Sequence, residues 1–334
     1  MQSPSVIVEQ ERLDRFYSTI YIVYTVLGMV LNGFLLFLII FHKQEAIQRY
    51  RILLGNTTCT LLLLSILTFF IQPRFVMAAN SLAYVSLGPA RFIDSPLLSL
   101  FASVLMIAVD IYSFTTLTMC MVYKWITLKG GSPSVRQISA VIGLLILLIL
   151  STVAAMMISD PNFPQLYATM ETLRPEYNMQ RYGMYGGLPD VKNYFVLYFV
   201  AALSCLIGSS STVTMITFMK IRRYVQSVQT TMSPKSATMF NMMIKALVIQ
   251  SCMPVLFSIP STLLYYLMQF GSFKSLTAEY LIFFVSPMIV VIDPCVTMFY
   301  VLPYRNFILK KVRFGKSKES TQSIRIQPSS TLRS

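Results

Sequence analysis

The sequence predicts an all-α polytopic membrane protein built around a bundle of seven transmembrane helices. Hydrophobic residues make up 55% of the 334 residues and charged residues 12%, whereas soluble domains carry about 25% charged residues. Seven apolar stretches reach the length of about 20 residues that an α-helix needs to cross a bilayer. Strands of a membrane barrel would be about ten residues long and alternating, so these runs exclude a barrel.

The predicted elements follow the apolar runs in order. The spans are expected at about 17–41, 52–72, 97–123, 135–158, 194–219, 244–269 and 276–302. Residues 1–16 precede them, residues 303–316 form a basic amphipathic segment, and residues 317–334 are expected to be a disordered tail. The N-terminus lacks the basic start and short apolar core of a cleavable signal peptide, so the first span is expected to act as a signal anchor.

The distribution of basic residues predicts the orientation in the membrane. Of the 27 Lys and Arg residues, 19 lie in or beside the loops after spans one, three and five or in the C-terminal segment. Because cytosolic loops are enriched in Lys and Arg, we expect a cytosolic C-terminus and an extracellular N-terminus. The long loop 159–193 is then extracellular. Its prolines and tyrosines favour an ordered lid, with a plain spacer as the alternative.

Several other classes of protein fit the sequence poorly. The net charge of +14 arises between apolar blocks rather than on one soluble face, which argues against nucleic-acid binding. The five cysteines lie in apolar blocks without metal-ligand spacing, and the single histidine, His42, stands at a helix end. We therefore expect no metal, no cofactor and no enzymatic activity.

Two acidic residues lie deep within predicted spans, away from their ends. Asp110 is near the middle of span three and Asp293 is in the inner half of span seven. A charge at membrane depth costs several kcal/mol unless it faces a cavity or a partner, so both are functional candidates. Asp110, Ser113 and Leu117 recur at three or four residues and share one helix face. We expect this face to line a ligand cavity, although a structural contact between helices would use the same residues.

Span seven carries a polar stripe along its whole depth. Glu279, Ser286, Asp293 and Tyr300 are each seven residues apart, and a seven-residue step drifts by only about 20° around a helix. The stripe should face the bundle, with Glu279 and Ser286 as cavity candidates and the inner two as switch or packing candidates. It would equally suit a proton path, which keeps a small-solute transporter or ligand-gated channel as an alternative function.

Prolines mark possible hinges in spans six and seven. Pro254 and Pro260 interrupt the sixth span and Pro294 the seventh, and a mid-helix proline removes a backbone hydrogen bond and kinks the helix. We expect movable hinges, with static kinks as the alternative. Asn32 in span one is a candidate donor to Asp293 across the helix interface, with Asn56, Ser65 and Thr68 of span two as the alternatives.

Basic residues at the predicted cytosolic face are candidates for contact with a signalling partner. They are Lys124, Lys220, Arg222, Arg223, Lys245 and Arg305. The segment after span seven should lie along the anionic lipids of the inner leaflet. A stop-transfer anchor without any signalling role would have similar basic flanks.

The order of several short motifs resembles a known family. The motifs are Asn32, QPRF at 72–75, SLGPARF at 86–92, YKW at 123–125, QSCMPVLFSIP at 250–260 and DPCVTMFYVLPYR at 293–305. Together they resemble the nematode serpentine chemoreceptors, a superfamily of seven-transmembrane, G-protein-coupled-receptor-like proteins, and within it class delta. The resemblance covers about residues 17 to 315.

This resemblance implies a chemosensory receptor in the plasma membrane of sensory-neuron cilia. It would serve olfaction by detecting an unidentified small molecule and signalling to a heterotrimeric G protein. The resemblance places Lys124 where such receptors usually carry an arginine, and it leads us to expect a cysteine near Ala90 that ties span three to the long loop. Because loop 159–193 contains no cysteine, other contacts must hold the lid.

Overall fold

The computed structural model confirms a bundle of seven membrane-length helices. It describes residues 4–41, 49–159, 161–228, 245, 248–250, 252–271, 273, 275–300, 304–305 and 307. His42, most of the loop between spans five and six, most of segment 303–316 and the whole tail 317–334 lie outside these residues.

Within the described residues, seven helices are long and apolar enough to cross a membrane. These spans are Ile7–Phe41, Tyr50–Ile71, Pro96–Leu128, Val135–Ile158, Tyr194–Ser227, Val248–Gln269 and Leu276–Tyr300. The helix of span one begins at Pro4, and that of span five continues to Val228. Helical backbone therefore continues beyond the apolar runs at the start of span one and at the end of span five.

Local capping sets the starts of spans three and four. The Ser95 side chain accepts a hydrogen bond from the Leu98 N–H at 3.3 Å, and Pro96 occupies the first position of span three. At span four, Ser134 and Gln137 form a reciprocal capping box. Both arrangements satisfy backbone donors that the first turn of a helix leaves free.

Span three is the central helix of the bundle. In its most apolar window 78% of the residues are buried, compared with 28% in spans four and five. The latter two therefore turn most of their surface outward, where a membrane protein meets lipid. A side chain on span three can reach several neighbouring helices, and Asp110 lies on this helix.

A three-stranded antiparallel sheet covers one end of the bundle. Strands β1 (Pro73–Ala78) and β2 (Ser81–Ser86) form a hairpin after span two, and β3 (Gly186–Leu188) pairs with β2. Ala78 pairs with Ser81, which leaves a two-residue turn with Ala79 at a positive φ of 52°. Every residue of the three strands is buried, so the sheet is an internal layer.

The segment between spans four and five folds over the same end. It contains a helix at Phe163–Leu173 and 3₁₀ turns at Pro175–Tyr177 and Met179–Tyr182 before it enters β3. We call residues 161–193 the lid, this end of the bundle the lid face, and the other end the opposite face. The predicted ordered loop is confirmed.

The last two spans depart from regular α-helix near prolines. Span six contains a π-helical turn at Pro254–Ser258, and its regular helix resumes at Ile259–Gln269, which includes Pro260. Span seven consists of Leu276–Phe284, a 3₁₀ turn at Ser286–Met288 and a second helix at Ile289–Tyr300. Pro294 lies inside that second helix without ending it.

Candidate functional site

A cavity lies beneath the sheet, between spans three, five, six and seven, with one residue of span four in its lining. Its volume is about 80 Å³ and its roof consists of Phe75, Leu82, Tyr84 and Leu188. The rest of the lining comes from Ile107, Asp110, Ile111, Met156, Val196, Phe199, Val200, Leu203, Ser204, Ile207, Ser258, Ser261, Thr262, Tyr265, Ile282, Phe283 and Ser286. A largely apolar wall with a few placed polar groups is typical of a small-molecule site.

Two residues predicted to line the cavity meet each other in its wall. The Ser286 hydroxyl donates a hydrogen bond to Oδ2 of Asp110, and both side chains are buried. The other carboxylate oxygen, Oδ1, is buried and has no hydrogen-bond partner among the described residues. Span three and the 3₁₀ turn of span seven are thus joined at the cavity, with one strong acceptor left over.

Three other predicted cavity residues do not line it. Ser113 and Leu117 lie one and two turns below Asp110, where span three is packed on all sides, and Ser113 donates to the Asp110 backbone carbonyl at 2.6 Å. Glu279 lies above the cavity, in a cluster of charged residues. The spacing of three to four residues correctly places Asp110, Ser113 and Leu117 on one helix face. Of these three residues, only Asp110 lies at the depth of the cavity.

The charged cluster at the lid face is centred on Arg74 of β1. This side chain has no exposed surface, donates to Oε2 of Glu279 at 3.1 Å and lies 3.5 Å from Asp14 of span one. It also donates to the Tyr182 hydroxyl at 2.6 Å and lies over the Tyr280 ring at 4.7 Å from the ring centre. One guanidinium therefore connects the hairpin to span one, the lid and span seven.

Both carboxylates of the cluster are shared with the lid. Glu279 accepts a hydrogen bond from the Tyr177 hydroxyl at 3.0 Å and lies 3.7 Å from the guanidinium of Arg174. Asp14 accepts from Arg181 at 2.6 Å and from the Tyr182 hydroxyl at 2.7 Å. A buried ion pair is more stable when its remaining donors and acceptors are also satisfied; the lid satisfies both carboxylates, and the Arg74 Nε–H is left without a hydrogen-bond partner among the described residues.

The cluster changes the ionisation of those of its members that lie outside the spans. Burial lowers the pKa of Arg74, but the surrounding phenols and carboxylates outweigh burial and raise that pKa overall. Burial raises the pKa of Tyr182 to about 12; Arg74 opposes this shift and Asp14 adds to it. Arg74 therefore stays charged and Tyr182 stays a neutral donor over the physiological range.

The lid is held without a disulfide. All five cysteines of the chain are free. The β2–β3 pairing and the charged cluster take over the role of a covalent link, as does the Arg174 Nε–H bond to the Met77 carbonyl at 3.0 Å. This agrees with the expectation that other contacts hold the lid.

Comparison with known proteins places this architecture in a family. The sequence profile described as "Serpentine type 7TM GPCR chemoreceptor Srd" matches residues 17–310. The chain belongs to this family. Serpentine receptor class delta-32 of Caenorhabditis elegans is 26% identical over 297 residues, which cover 89% of this chain and 87% of that protein. Serpentine receptor class delta-33 of the same organism is 26% identical over 292 residues, covering 86% and 83%.

The Srd family membership agrees with the resemblance in the motifs and with the seven apolar helices. Serpentine receptor class delta-1 of the same organism also matches, at 23% identity over 292 residues. The chain is thus a multi-pass membrane protein of a chemoreceptor family whose relatives are named as receptors. Two of the motifs, QPRF at 72–75 and SLGPARF at 86–92, lie at the lid face. QPRF contains Arg74.

In this Srd-family chain Asn32 joins spans one and seven, but not through Asp293. Its Nδ2 donates to the Val290 carbonyl at 2.7 Å and to the Gly28 carbonyl at 2.8 Å. The Val290 carbonyl would normally accept from the backbone N–H four residues later, and that residue is Pro294, which has none. The candidate bond to Asp293 is therefore wrong, because the carbonyl freed by Pro294 takes the donor instead.

Asp293 is held from the other side of the bundle. It accepts a hydrogen bond from Nε2 of Gln250 at 3.3 Å, and Oε1 of Gln250 accepts from Nζ of Lys124 at 2.9 Å. Gln250 thus bridges spans three and seven from span six. We call Lys124, Gln250 and Asp293 the polar bridge. Tyr300, the last residue of the predicted stripe, is half-buried and makes an edge contact with Phe299 at 5.0 Å.

The basic residues predicted to face a signalling partner fall into two groups. Lys220, Arg222, Arg223 and Lys245 are exposed at the opposite face. Lys124 is half-buried and its Nζ is engaged with Gln250 and lies 5.4 Å from the Tyr50 ring centre, so it points into the bundle. The Arg305 guanidinium lies over the Phe299 ring at 5.1 Å.

Sequence patterns do not single out Arg74 or Gln250. Arg74 and Gln250 each belong to a motif of the family resemblance, but Arg74 has no periodic partner and Gln250 is uncharged at the edge of an apolar run. A search for any polar side chain within one turn of a proline kink would have found Gln250, which precedes Pro254 by four residues.

Proposed function

We propose that this protein is a chemosensory G-protein-coupled receptor that detects a small molecule in the cavity beneath the lid. The observation that carries the proposal is the cavity itself, which five spans line and an ordered sheet covers. Its wall holds the buried Asp110 and Ser286 pair. A site of this kind suits recognition, since it buries most of a small ligand and offers few polar groups for specificity.

The lid face is proposed to be extracellular and the opposite face cytosolic. The loops and exposed basic residues of the opposite face support this orientation under the rule that cytosolic loops are rich in Lys and Arg. Anionic lipids of the inner leaflet would bind the basic segment after span seven. The plasma membrane of sensory cilia is the proposed location, on the strength of the family.

Ligand contact would act directly on the irregular parts of spans six and seven. Ser258 ends the π-helical turn of span six and Ser286 begins the 3₁₀ turn of span seven, and both line the cavity. A ligand that binds one arrangement of these turns better than another shifts the population toward it. Below the turns, the polar bridge ties span six to spans three and seven.

Signalling to a heterotrimeric G protein would require the polar bridge to open. Gln250→Leu removes both of its hydrogen bonds, and we expect higher ligand-independent signalling in a reporter cell at equal surface expression. Cys252→Ala is a matched control, because Cys252 is exposed on the same span. Unchanged basal signalling in the Gln250 variant would contradict this step.

The transporter or channel alternative gains no support from the polar stripe. Glu279 pairs with Arg74, Ser286 with Asp110 and Asp293 with Gln250. Buried apolar side chains, Ile282, Ile289 and Val290, alternate with them along span seven. The stripe is thus divided into three separate contacts with three different parts of the bundle.

The decisive experiment is a ligand screen in cells with and without functional G proteins. Volatile and water-soluble small molecules are applied to cells that express the receptor and a second-messenger reporter. We expect at least one response that requires the G protein, that Leu203→Trp abolishes by filling the cavity, and that Leu197→Trp, at an exposed position of the same span, preserves. Current or uptake that persists without G protein would favour the transporter.

A further inference from the structure

The cavity wall contains a buried carboxylate oxygen that lacks a donor. Asp110 is 3% exposed and lines the cavity, yet its Oδ1 has no hydrogen-bond partner among the described residues. Oδ2 receives the single donor that Ser286 supplies. A buried acceptor without a donor is costly, so natural structures rarely leave one unless a ligand, ion or water completes it.

No cation of the described chain lies within ion-pair distance of Asp110. The ion pairs at the lid face involve Asp14, Glu176 and Glu279 among the buried or half-buried acids, and the amine of the polar bridge is bonded to Gln250. Protonation of Asp110 would not resolve the shortage. A proton on Oδ2 would be donated to the Ser286 hydroxyl oxygen and would leave Oδ1 as an acceptor without a donor, while a proton on Oδ1 would itself lack an acceptor among the described residues.

The rest of the lining defines the body of the ligand. Around Asp110 lie aliphatic and aromatic side chains, among them Ile107, Phe199, Leu203 and Phe283. Ser261 is also part of the lining, but its hydroxyl donates to the Phe257 carbonyl of its own helix. The volume of about 80 Å³ corresponds to roughly five to eight water-sized groups.

We propose that the cavity binds a compact alkylammonium ion of about six non-hydrogen atoms, whose N–H donates to the free oxygen of Asp110 beside Ser286. The inference rests on the proposed cavity and names the ligand class for it. An ammonium supplies both the missing donor and the missing charge, and its alkyl body suits the apolar remainder of the lining. A neutral alcohol of the same shape would leave the carboxylate charge unopposed.

The test compares three probes of one branched skeleton on the purified full-length chain in lipid nanodiscs. The probes are 3-methylbutylamine, 3-methylbutanol and 3-methylbutanoate. Binding of each probe is measured directly by isothermal titration calorimetry. We expect the amine to bind about 10- to 100-fold more tightly than the alcohol, since hydrogen bonds to charged groups are worth about 1.5–3 kcal/mol. The carboxylate should not bind.

Variants then assign the preference to Asp110. Asp110→Asn should reduce the amine-to-alcohol ratio to near one, because the amide keeps the shape and removes the charge. Asp94→Asn removes the same charge from an exposed position before span three and should leave the ratio unchanged. The comparison of probes on the unmodified chain needs no variant, so the test survives if Asp110→Asn fails to fold.

Each result separates this inference from the proposed function. Tight amine binding without any G-protein response would support the ligand class and count against the receptor. A receptor that responds to neutral odorants through the cavity, with no preference for the amine, would overturn the ligand class alone. Sodium ions that occupy the carboxylate and are not displaced by the amine would also overturn it.

Discussion

The bond between Asn32 and the Val290 carbonyl should depend on Pro294. Pro294 removes the N–H that would satisfy this carbonyl within span seven, and Asn32 replaces it across the helix interface at 2.7 Å. Asn32→Ala should therefore orphan a buried carbonyl in the natural sequence. In a Pro294→Ala background the new backbone N–H can bond to Val290, and the loss of Asn32 should then cost much less.

The magnitude follows from two measured ranges. Hydrogen bonds between membrane spans contribute about 0.6 kcal/mol on average and about 1.7 kcal/mol at most, whereas an orphaned buried acceptor costs about 1–3 kcal/mol. Asn32 is fully buried, and the Val290 carbonyl has lost its intrahelical donor. We therefore expect a coupling free energy of about 1–2 kcal/mol between Asn32→Ala and Pro294→Ala.

The assay is a double-mutant cycle on unfolding free energies. The natural chain, both single variants and the double variant are unfolded by denaturant in the same mixed micelles. A matched cycle combines Asn32→Ala with Asp293→Asn, and its coupling should be clearly smaller because Asn32 does not bond to Asp293. Additive effects in the Pro294 cycle would refute the reasoning, as would a larger coupling in the Asp293 cycle.

Three further predictions concern the lid face and the packing of span one. Arg74→Met should lower the unfolding free energy by about 3–5 kcal/mol, seen as a lower Tm, because it leaves buried carboxylates without their central cation; a loss below about 1 kcal/mol would contradict this. The pKa of Tyr182 is raised to about 12. The neutral phenol therefore stabilises the fold fully below pH 10, and this stabilisation is lost as the pH rises to 12. The fall in Tm over that range should be smaller in Tyr182→Phe. Gly28→Ala places a methyl group 2.6 Å from Val290 and should cost about 1–3 kcal/mol, while Gly33→Ala, with nothing within 4 Å, should be neutral in the same melt.

The sequence predicts the spans well because span length and hydropathy are local properties. The sequence does not predict the sheet, because the strands are buried on both faces of the sheet. All residues of β1 and β2 are buried, so the polar and apolar alternation that identifies a half-exposed strand is missing. The third strand has only three residues, too few for any periodic signal.

The candidate site is predicted only in part, for a similar reason. Asp110 and Ser286 can be found because an acid and a seven-residue polar stripe stand out within apolar runs. The cluster around Arg74 joins residues that are far apart in the chain: Asp14 lies 60 residues before Arg74 and Glu279 lies 205 after it. No spacing rule connects such positions, since the tertiary fold alone brings them together.

The two ends of the bundle are held with very different strength. At the lid face, Arg74 and Glu279 are fully buried charges with several partners each, and breaking such a set costs several kcal/mol. At the opposite face, span six is tied to its neighbours by Gln250, whose amide makes bonds of 2.9 and 3.3 Å to Lys124 and Asp293. Hydrogen bonds to charged groups are worth about 1.5–3 kcal/mol each, and the bridge has only one such bond at each end, whereas Arg74 has several partners. A ligand with a few kcal/mol of differential affinity can therefore open the polar bridge but not the lid, so the conformational change should appear on the opposite face.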